Sequence, residues 1–496
     1  MCGPTGNNNL GINSKLMNLK VISRNVGFAL LTSAFFMFLS MIVSMSRGND
    51  SALAALMISF VITFTVGVFP FIFVRSTERI SLKDGYMIIV LSWSLSFIFG
   101  MLPYLLWGGP FTVVNSLFES VSGYTTTGAT ILEEVEALPD SLLFWRSSTH
   151  FIGGLGVIVF LLLILPESSP FRLRITNLEL SSLSREGYRY RSSRTVRIMC
   201  TVYIGLVVVE TLLLWGAGMS FFDAINHSFS TIATGGFSTR NASIAYYDST
   251  VIEAILFLFM LFAGMHFGLI FTFVTTGSFK VFKHPVMRFY LITIAVMTFF
   301  VACELFAGGG HTVGSALWDS AFQVVSALTS TGLTTADVLN WPMMSSFLIL
   351  CCGIQCACSG STTGGVKTDR ILIAVKAMGC EIRKRLHPNS VYPVRVGNHP
   401  VNDENVTSAI LYITLYLLLA AVSVVIFLIA GSDLTDSLAI EMASIGNVGF
   451  VSMGSGDLAG LPAVSKLLSA FNMFLGRVEI YPVLIVIYMM FNRKGK

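Results

Sequence analysis

The chain alternates long uncharged runs with short stretches that carry most of its Lys and Arg. A helix needs about 20 mostly apolar residues to cross the hydrocarbon core of a bilayer. Uncharged runs of that length occupy 25–46, 51–74, 147–166, 254–279 and 405–432. Runs at 197–223, 288–319 and 466–493 are interrupted by one or two internal charges, and 85–118 and 338–366 are longer than one crossing and contain Gly and Pro. The pattern predicts about ten membrane crossings.

Composition supports a membrane protein and excludes several other classes. Of the 496 residues, 54% are hydrophobic and 12% are charged, and the mean hydropathy is +0.75. A soluble domain carries about a quarter charged residues, so a soluble enzyme is excluded and we expect no catalytic centre. The apolar content also excludes disorder. Eight Cys in a chain of this length do not form a disulfide framework.

The distribution of basic residues predicts an orientation. Placing the N-terminus inside puts the loops at 75–83, 172–197, 280–288 and 370–395 and the tail on the same side. All but six of the 31 basic residues then lie inside. Four are expected outside (Arg47, Arg146, Arg240, Lys466), and Lys367 and Arg477 are expected at membrane depth. We therefore predict a multi-pass protein with both termini in the cytoplasm.

A short Gly signature recurs four times. Segments 122–130, 230–239 and 326–335 each place a Ser six residues before a Gly, and 443–452 is a degenerate fourth copy. Each copy follows a short amphipathic stretch, such as 114–124 or 222–232, and lies between two long apolar runs. These stretches are too short to cross a bilayer, so we expect half-helices that enter the membrane from outside and end midway. Four such units predict a pore.

The signature has the chemistry of a cation pathway. Gly accepts positive φ, which lets successive carbonyl oxygens point toward a dehydrated ion. Half-helix C-termini add about half a negative charge each, whereas an anion would need the opposite ends. The alternative is four glycines at ordinary helix crossings, which would leave the recurring hydroxyl residues unexplained.

The sequence resembles the Trk/Ktr/HKT superfamily of potassium transporters, in particular the bacterial TrkH type. The matching segments are 126–130 (TTGAT), 233–239 (ATGGFST), 330–335 (STGLTT), 446–450 (GNVGF), 359–367 (SGSTTGGVK) and 475–480 (LGRVEI). The resemblance implies an all-α integral membrane fold with four pseudo-symmetric membrane–pore–membrane repeats around one pore and two extra N-terminal transmembrane helices. The expected divisions are 1–20 (cytoplasmic segment), 21–76 (extra helix pair), 77–166, 167–279, 280–385 and 386–496 (repeats one to four).

The resemblance also implies two groups of functional residues. The selectivity filter, which would bind K⁺, is expected at Thr126, Thr127, Gly128, Thr234, Gly235, Gly236, Ser330, Thr331, Gly332, Asn447, Val448 and Gly449. An intramembrane gate is expected at Gly360, Ser361, Thr362, Thr363, Gly364, Gly365, Lys367 and Arg477. Asn447 and Val448 depart from the Thr-rich pattern of the other copies.

Several polar groups in the apolar runs have competing interpretations. Arg477 must face protein or water, either in the pore or paired with an acid on another helix such as Glu210. The Gly-rich run at 360–367 is a gate or a simple helix kink. Glu210 and Glu304 occupy similar positions in two repeats, and we expect them to brace the pore loops. Four Cys at 351–358 spread around a helix, which favours a packing face over a metal site.

These observations predict a potassium uptake protein of a bacterial inner membrane, with K⁺ as its transported ion and no cofactor. The nearer alternative is a sodium- or proton-coupled symporter of the same fold. A second alternative, from another class, is an integral membrane enzyme that uses the Cys cluster. No polar loop is long enough for a nucleotide-binding domain, so we expect regulation in trans. By resemblance, the partners are a second copy of the chain, in a homodimer, and a nucleotide-binding, TrkA-like cytosolic ring of RCK domains on the basic loops 167–197 and 370–403. The bilayer surrounds the protein, and no nucleic acid is expected to bind.

Overall fold

The computed structural model describes residues 18–74, 81–163, 192–309, 311–397, 399–450 and 458–492. The basic segments expected at 1–20, 75–83 and 167–197 lie wholly or largely outside these ranges. Helices make up nearly all of the regular structure, and a two-residue antiparallel pair, Arg395–Val396 with His399–Pro400, is the one sheet within them. The chain is an all-α membrane protein.

Eighteen α-helices follow one another along the described residues. They are α1 (Leu19–Ser46), α2 (Leu53–Phe73), α3 (Leu82–Gly100), α4 (Leu102–Trp107), α5 (Val113–Tyr124), α6 (Asp140–Leu163), α7 (Ser192–Gly216), α8 (Phe221–Ala233), α9 (Thr250–Ala263), α10 (Phe267–Thr276), α11 (Pro285–Ala307), α12 (Val313–Leu328), α13 (Met343–Gln355), α14 (Thr368–Leu386), α15 (Asp403–Ile429), α16 (Leu434–Ile445), α17 (Ala463–Val478) and α18 (Ile480–Phe491).

The long apolar helices match most of the predicted crossings. Six are long and apolar enough to cross a bilayer, α3 and α4 counting as one, and two bent pairs raise the number to eight. Of the two remaining runs, 147–166 overlaps α6, and 338–366 contains the shorter apolar helix α13. The ten apolar runs of the sequence therefore all correspond to helical elements of the described chain.

Two runs predicted as single crossings are sharply bent instead. Helices α9 and α10 meet at 108°, and α17 and α18 meet at 109°. At the first bend His266 leaves helical geometry, and its Nδ1 accepts the Gly268 N–H at 2.9 Å, which caps α10. At the second bend Glu479 has a φ of 64°, which a right-handed helix cannot contain. An uncharged or nearly uncharged run does not reveal such breaks.

Four short helices match the predicted half-helices: α5, α8, α12 and α16. Their N-termini are fixed locally, because Thr112, Ser220 and Thr312 accept a backbone N–H from the first turn of α5, α8 and α12. The chain leaves each half-helix at a Gly signature. The predicted stretches 114–124 and 222–232 are therefore confirmed to within a residue at each end.

The two N-terminal helices pack against each other and on α5. Gly27 of α1 approaches the carbonyl oxygen of Gly67 in α2 so closely that a Cβ there would lie 2.7 Å away. Ser33 of α1 accepts a 2.8 Å hydrogen bond from the hydroxyl of Tyr124, the last residue of α5. The extra pair thus contacts the half-helix just where its Gly signature begins.

Candidate functional site

The four Gly signatures share one backbone conformation. The residue two positions before each glycine has a positive φ between 50° and 58°, and the glycine itself has a φ between 77° and 83°. The residues are Thr126, Thr234, Ser330 and Asn447, followed by Gly128, Gly236, Gly332 and Gly449. Non-Gly residues rarely adopt positive φ, so four in register at one motif mark a specific loop shape. The degenerate fourth copy has the same shape as the others.

Equivalent hydrogen bonds fix this shape in every loop. The N–H of the residue before the glycine donates to the carbonyl oxygen five residues earlier, on the last turn of the half-helix. The four bonds are Thr127 to Ser122 (2.9 Å), Gly235 to Ser230 (2.8 Å), Thr331 to Ser326 (2.9 Å) and Val448 to Ala443 (3.0 Å). Because these groups are buried, an unmade bond would be costly. The same turn therefore follows each half-helix.

The four glycines close into a ring, here called the glycine ring (Gly128, Gly236, Gly332, Gly449). A Cβ added to each glycine would collide with a backbone carbonyl oxygen of the next loop in the cycle. The pairs are Gly128 with the oxygen of Gly235, Gly236 with Thr331, Gly332 with Val448, and Gly449 with Thr127. The first loop contacts the second, the second the third, the third the fourth, and the fourth the first. This cycle shows that the loops surround a common axis. Glycines at separate helix crossings would not give this cycle.

A cavity of about 360 Å³ opens on one side of the ring, and all four ring glycines line it. The other lining residues follow the glycines in sequence, among them Thr130, Phe237, Thr334 and Phe450. We call this side the cavity face.

The half-helices aim their negative ends at the ring. Each ends three or four residues before its glycine, at Tyr124, Ala233, Leu328 and Ile445. The C-terminus of a helix carries about half a negative charge. Four such ends at one ring favour a cation there and disfavour an anion.

A buried ion pair supports the first loop. Arg146 of α6 donates to Glu119 of α5 at 2.8 Å, and the two side chains are 2% and 0% exposed. Glu119 also accepts hydrogen bonds from the Thr130 hydroxyl and the Ile131 N–H, beyond the glycine. The Arg146 guanidinium lies over the Phe237 ring at 4.0 Å, which connects the first loop to the second. Arg146 also lines the cavity face, and its partner Glu119 is not apparent from the sequence.

The second loop has its own polar support near the cavity. His150 of α6 stacks on Phe237, with 4.1 Å between the ring centroids, and its Nδ1 is 3.2 Å from the Ser230 hydroxyl. Arg240 pairs with Asp223, on the first turn of α8, at 3.1 Å. His150 therefore has the packing and hydrogen-bonding role of a structural histidine.

The Gly-rich segment between α13 and α14, here called the 359–367 loop, lies against the other side of the ring. The Thr362 hydroxyl donates to the carbonyl of Ile232 at 3.0 Å, and the Gly364 N–H donates to the Ser330 hydroxyl at 3.2 Å. Gly364 also packs against the Asn447 side chain. These contacts involve residues that precede the ring glycines, whereas the cavity contacts residues that follow them. The loop and the cavity are thus on opposite faces of the ring.

Two buried cations accompany the 359–367 loop. Arg477, near the end of α17, donates to the carbonyl of Thr362 and is 4% exposed. Lys367 donates to the hydroxyl of Thr363 at 3.1 Å and is 8% exposed. The structure therefore brings together Arg477 and the loop, as the sequence predicted.

Among the described residues, Arg477 forms no ion pair with Glu479, Glu210 or Glu304. Glu479 points away from Arg477 and pairs with Arg370 of α14 at 2.8 Å. Glu210 is buried beside Thr231 of the second half-helix, but neither of its carboxylate oxygens has a hydrogen-bond partner among the described residues. Glu304 accepts the Ser345 hydroxyl at 2.6 Å, so it contacts α13 and not a half-helix. Among the described residues no group of three or more His, Cys, Asp or Glu is placed to hold a metal ion.

Comparisons with known proteins give a consistent result. The family model TrkH, described as a cation transport protein, matches residues 52–494. The Trk system potassium uptake protein TrkH of Salmonella typhimurium is 33% identical over 478 residues, covering 95% of this chain and 98% of that protein. The protein of the same name from Escherichia coli K12 is 33% identical with the same coverage. The crystal structure of the potassium transporter TrkH from Vibrio parahaemolyticus aligns with a TM-score of 0.86 at 29% identity, covering 95% of this chain and 98% of that one.

Proposed function

The chain belongs to the TrkH family of cation transport proteins, which are transporters and not enzymes, and from this premise we propose that it takes up potassium through a pore at the glycine ring. The observation that carries the proposal is the cyclic contact of the four loops, each glycine against a carbonyl oxygen of the next. Relatives named as potassium uptake proteins cover nearly the whole chain, which supports K⁺ as the ion.

In this proposal the four loops form the selectivity filter. Carbonyl oxygens around the ring replace the hydration shell of K⁺, and the negative ends of four half-helices offset the cost of removing its water. The residues assigned are Thr126, Thr127, Gly128, Thr234, Gly235, Gly236, Ser330, Thr331, Gly332, Asn447, Val448 and Gly449. The cavity face would be the outer mouth of the pore.

The gate is assigned to the 359–367 loop together with Arg477. Residues 360–365 and Lys367 lie against the face of the ring opposite the cavity, where an ion that has passed the filter must leave. The fixed charge of Arg477 opposes a cation there, and its bond to Thr362 holds the loop in place. Opening would require the loop to move away from Ser330 and Asn447.

The proposed cellular setting follows the family resemblance. We place the protein in a bacterial inner membrane as a homodimer, with both termini in the cytoplasm, so that uptake is inward. The exposed basic end of α14, with Arg383, Lys384 and Arg385, supports docking of a cytosolic nucleotide-binding ring on that side. Failure of a co-expressed ring protein to bind would contradict the docking assignment.

Growth rescue tests the function directly. A bacterium that lacks potassium uptake should grow at low external K⁺ when it expresses this chain. It should fail to grow with Gly332→Val, because the added side chain meets the Val448 carbonyl. Gly314→Val, whose Cβ position has no atom within 4 Å, is the matched control. Equal growth with both variants would contradict the filter assignment.

Flux in proteoliposomes separates a channel from a coupled symporter. We expect K⁺ flux that needs no Na⁺ or H⁺ gradient. Flux that stops when those gradients are removed would favour the symporter.

Replacing Arg477 tests the gate. We expect Arg477→Ala to raise K⁺ flux about fivefold, the factor that corresponds to about 1 kcal/mol for one charge at 4 Å in a water-filled site. Lys83→Ala, at an exposed position outside the proposed filter, gate and docking surface, is the control and should leave the flux unchanged. Unchanged flux for Arg477→Ala in folded protein would leave this residue only a structural role.

A further inference from the structure

Each ring glycine is preceded, two positions earlier, by a residue with a positive φ. Asn447 is the only amide among these four residues, whereas Thr126, Thr234 and Ser330 carry hydroxyl groups. Its amide is fully buried. The Nδ2 group donates to the Thr127 hydroxyl of the first loop at 2.9 Å and to the Met473 carbonyl of α17 at 2.8 Å. One side chain therefore connects two neighbouring loops of the ring and the helix that carries Arg477.

The same side chain also packs against the 359–367 loop. A Cβ added at Gly364 would lie 2.8 Å from the Cβ and 2.9 Å from the Cγ of Asn447, and it would collide with the Oδ1. The Oδ1 accepts no hydrogen bond from the described residues, although it is buried. A buried carbonyl oxygen without a hydrogen-bond donor destabilises the conformation in which it is found, and a change of conformation that supplies a donor removes this cost. Gly364 of the 359–367 loop and Gly476 of α17 both lie against this oxygen, since a Cβ added at either glycine would collide with it.

The equivalent residues of the other loops do not make this combination of contacts. The Thr234 hydroxyl donates to the adjacent Ala233 carbonyl, and the Ser330 hydroxyl accepts the Gly364 N–H. Thr126 has no hydrogen-bond partner for its hydroxyl within the described chain. Among these four positions, Asn447 alone contacts the 359–367 loop, a neighbouring ring loop and α17 together.

We infer that Asn447 is the positioning residue through which the 359–367 loop and the glycine ring influence each other. This inference rests on the proposed function, in which the ring selects the ion and the loop gates its exit. When the loop shifts, the Asn447 amide must shift with it or lose its packing on Gly364. Its bond to Thr127 then transmits the change to the first loop, so that the ion preference of the ring depends on the gate.

A double-mutant cycle tests the coupling. Gly364→Ala inserts a methyl group against Asn447, and Asn447→Gly removes all three side-chain atoms that it meets. The φ of 54° at this position suits Gly, so the second variant should fold. We expect Gly364→Ala to reduce K⁺ flux about tenfold in the parent protein and less than about threefold in the Asn447→Gly background. It should also change the K⁺/Na⁺ flux ratio only when Asn447 is present.

Thr234→Gly provides the matched background. Thr234 has a φ of 58° at the same ring position of the second loop, but its hydroxyl bonds its own neighbour. In the Thr234→Gly background, Gly364→Ala should reduce K⁺ flux about tenfold, as in the parent protein. Asn447→Ser removes the Oδ1 and puts a hydroxyl oxygen in place of the Cγ, so it should give an intermediate recovery. An equal cost of Gly364→Ala in all backgrounds, or an unchanged ion ratio throughout, overturns the inference.

The failure of the inference can be distinguished from failure of the proposed function. Parent proteoliposomes without any K⁺ flux would refute the proposed function, and coupling between gate and filter would fall with it. Parent flux with additive variants would refute the coupling alone. Thermal unfolding of the same variants reports whether the contact between Gly364 and Asn447 exists, so that a changed ion ratio can be attributed to it.

Discussion

The first and fourth ring loops have the same backbone but different supports. Thr126 and Asn447 have φ values of 51° and 54°, and Gly128 and Gly449 have 82° and 81°. Behind the first loop the Ser122 hydroxyl donates to the Ala129 carbonyl at 2.6 Å, and a buried ion pair lies alongside. The fourth loop has Ala443 in place of that serine.

The fourth loop is supported by amide and hydroxyl groups of α17. Asn447 bonds the Met473 carbonyl, Ser444 lies 2.5 Å from Ser469 (Oγ to Oγ), and Asn472 donates to Glu441 of α16. The ring geometry therefore depends on the four glycines and on the hydrogen bonds from the residue before each glycine to the last turn of its half-helix. The side chains that brace it can differ from loop to loop.

The strongest test of this shared backbone is to replace the glycines themselves. Gly128→Ala and Gly449→Ala should both abolish K⁺ uptake, because each Cβ meets a carbonyl of the next loop and each φ is positive. The positive φ alone costs about 1–3 kcal/mol. Growth rescue at low K⁺ checks the effect. Tolerance at Gly449 combined with loss at Gly128 would mean that the degenerate loop lies outside the ring.

The next largest effect should separate the supports of the two loops. Arg146→Met leaves the Glu119 carboxylate buried without its partner and should destabilise the protein by about 3–5 kcal/mol. Asn472→Ala removes an uncharged donor to the buried Glu441 and should cost about 1–3 kcal/mol. Thermal unfolding in detergent shows which of the two variants loses more stability. Adding Glu119→Gln to Arg146→Met should recover part of the loss, and no recovery would argue against the ion pair as the cause.

A smaller effect is expected from the hydroxyl brace of the first loop. Ser122→Ala leaves the buried Ala129 carbonyl without this donor and should cost about 1 kcal/mol. Ser326→Ala should cost the same, because the Ser326 hydroxyl donates to the Leu333 carbonyl at 2.7 Å in the third loop. Thermal unfolding compares the two variants. A much larger loss at one of them would show that the two loops are not equivalent.

Much of this architecture is predictable from sequence because the bilayer imposes length and polarity on each crossing. The apolar runs, the half-helices and the four glycines all follow from such patterns. The bends at His266 and Glu479 do not, because each depends on the φ and ψ of one or two residues inside an otherwise apolar run.

The supports of the site were harder to predict. Arg146 and Glu119 are 27 positions apart, and nothing local indicates that they pair. The sequence shows that Asn447 departs from the Thr-rich pattern of the other copies. It does not show the contacts of Asn447 with Thr127, Met473 and Gly364. The contacts with Thr127 and Gly364 join segments that are far apart in the chain, so only the assembled ring reveals them.

Locating the ion itself tests the central claim most directly. Crystals of the protein soaked in Tl⁺ or Rb⁺, which scatter anomalously, would report where a K⁺-like ion binds. We expect anomalous peaks on the axis of the glycine ring, beside the carbonyl oxygens of Thr127, Gly235, Thr331 and Val448. Peaks confined to sites away from that axis, or an ion-free ring at high Tl⁺, would contradict the account.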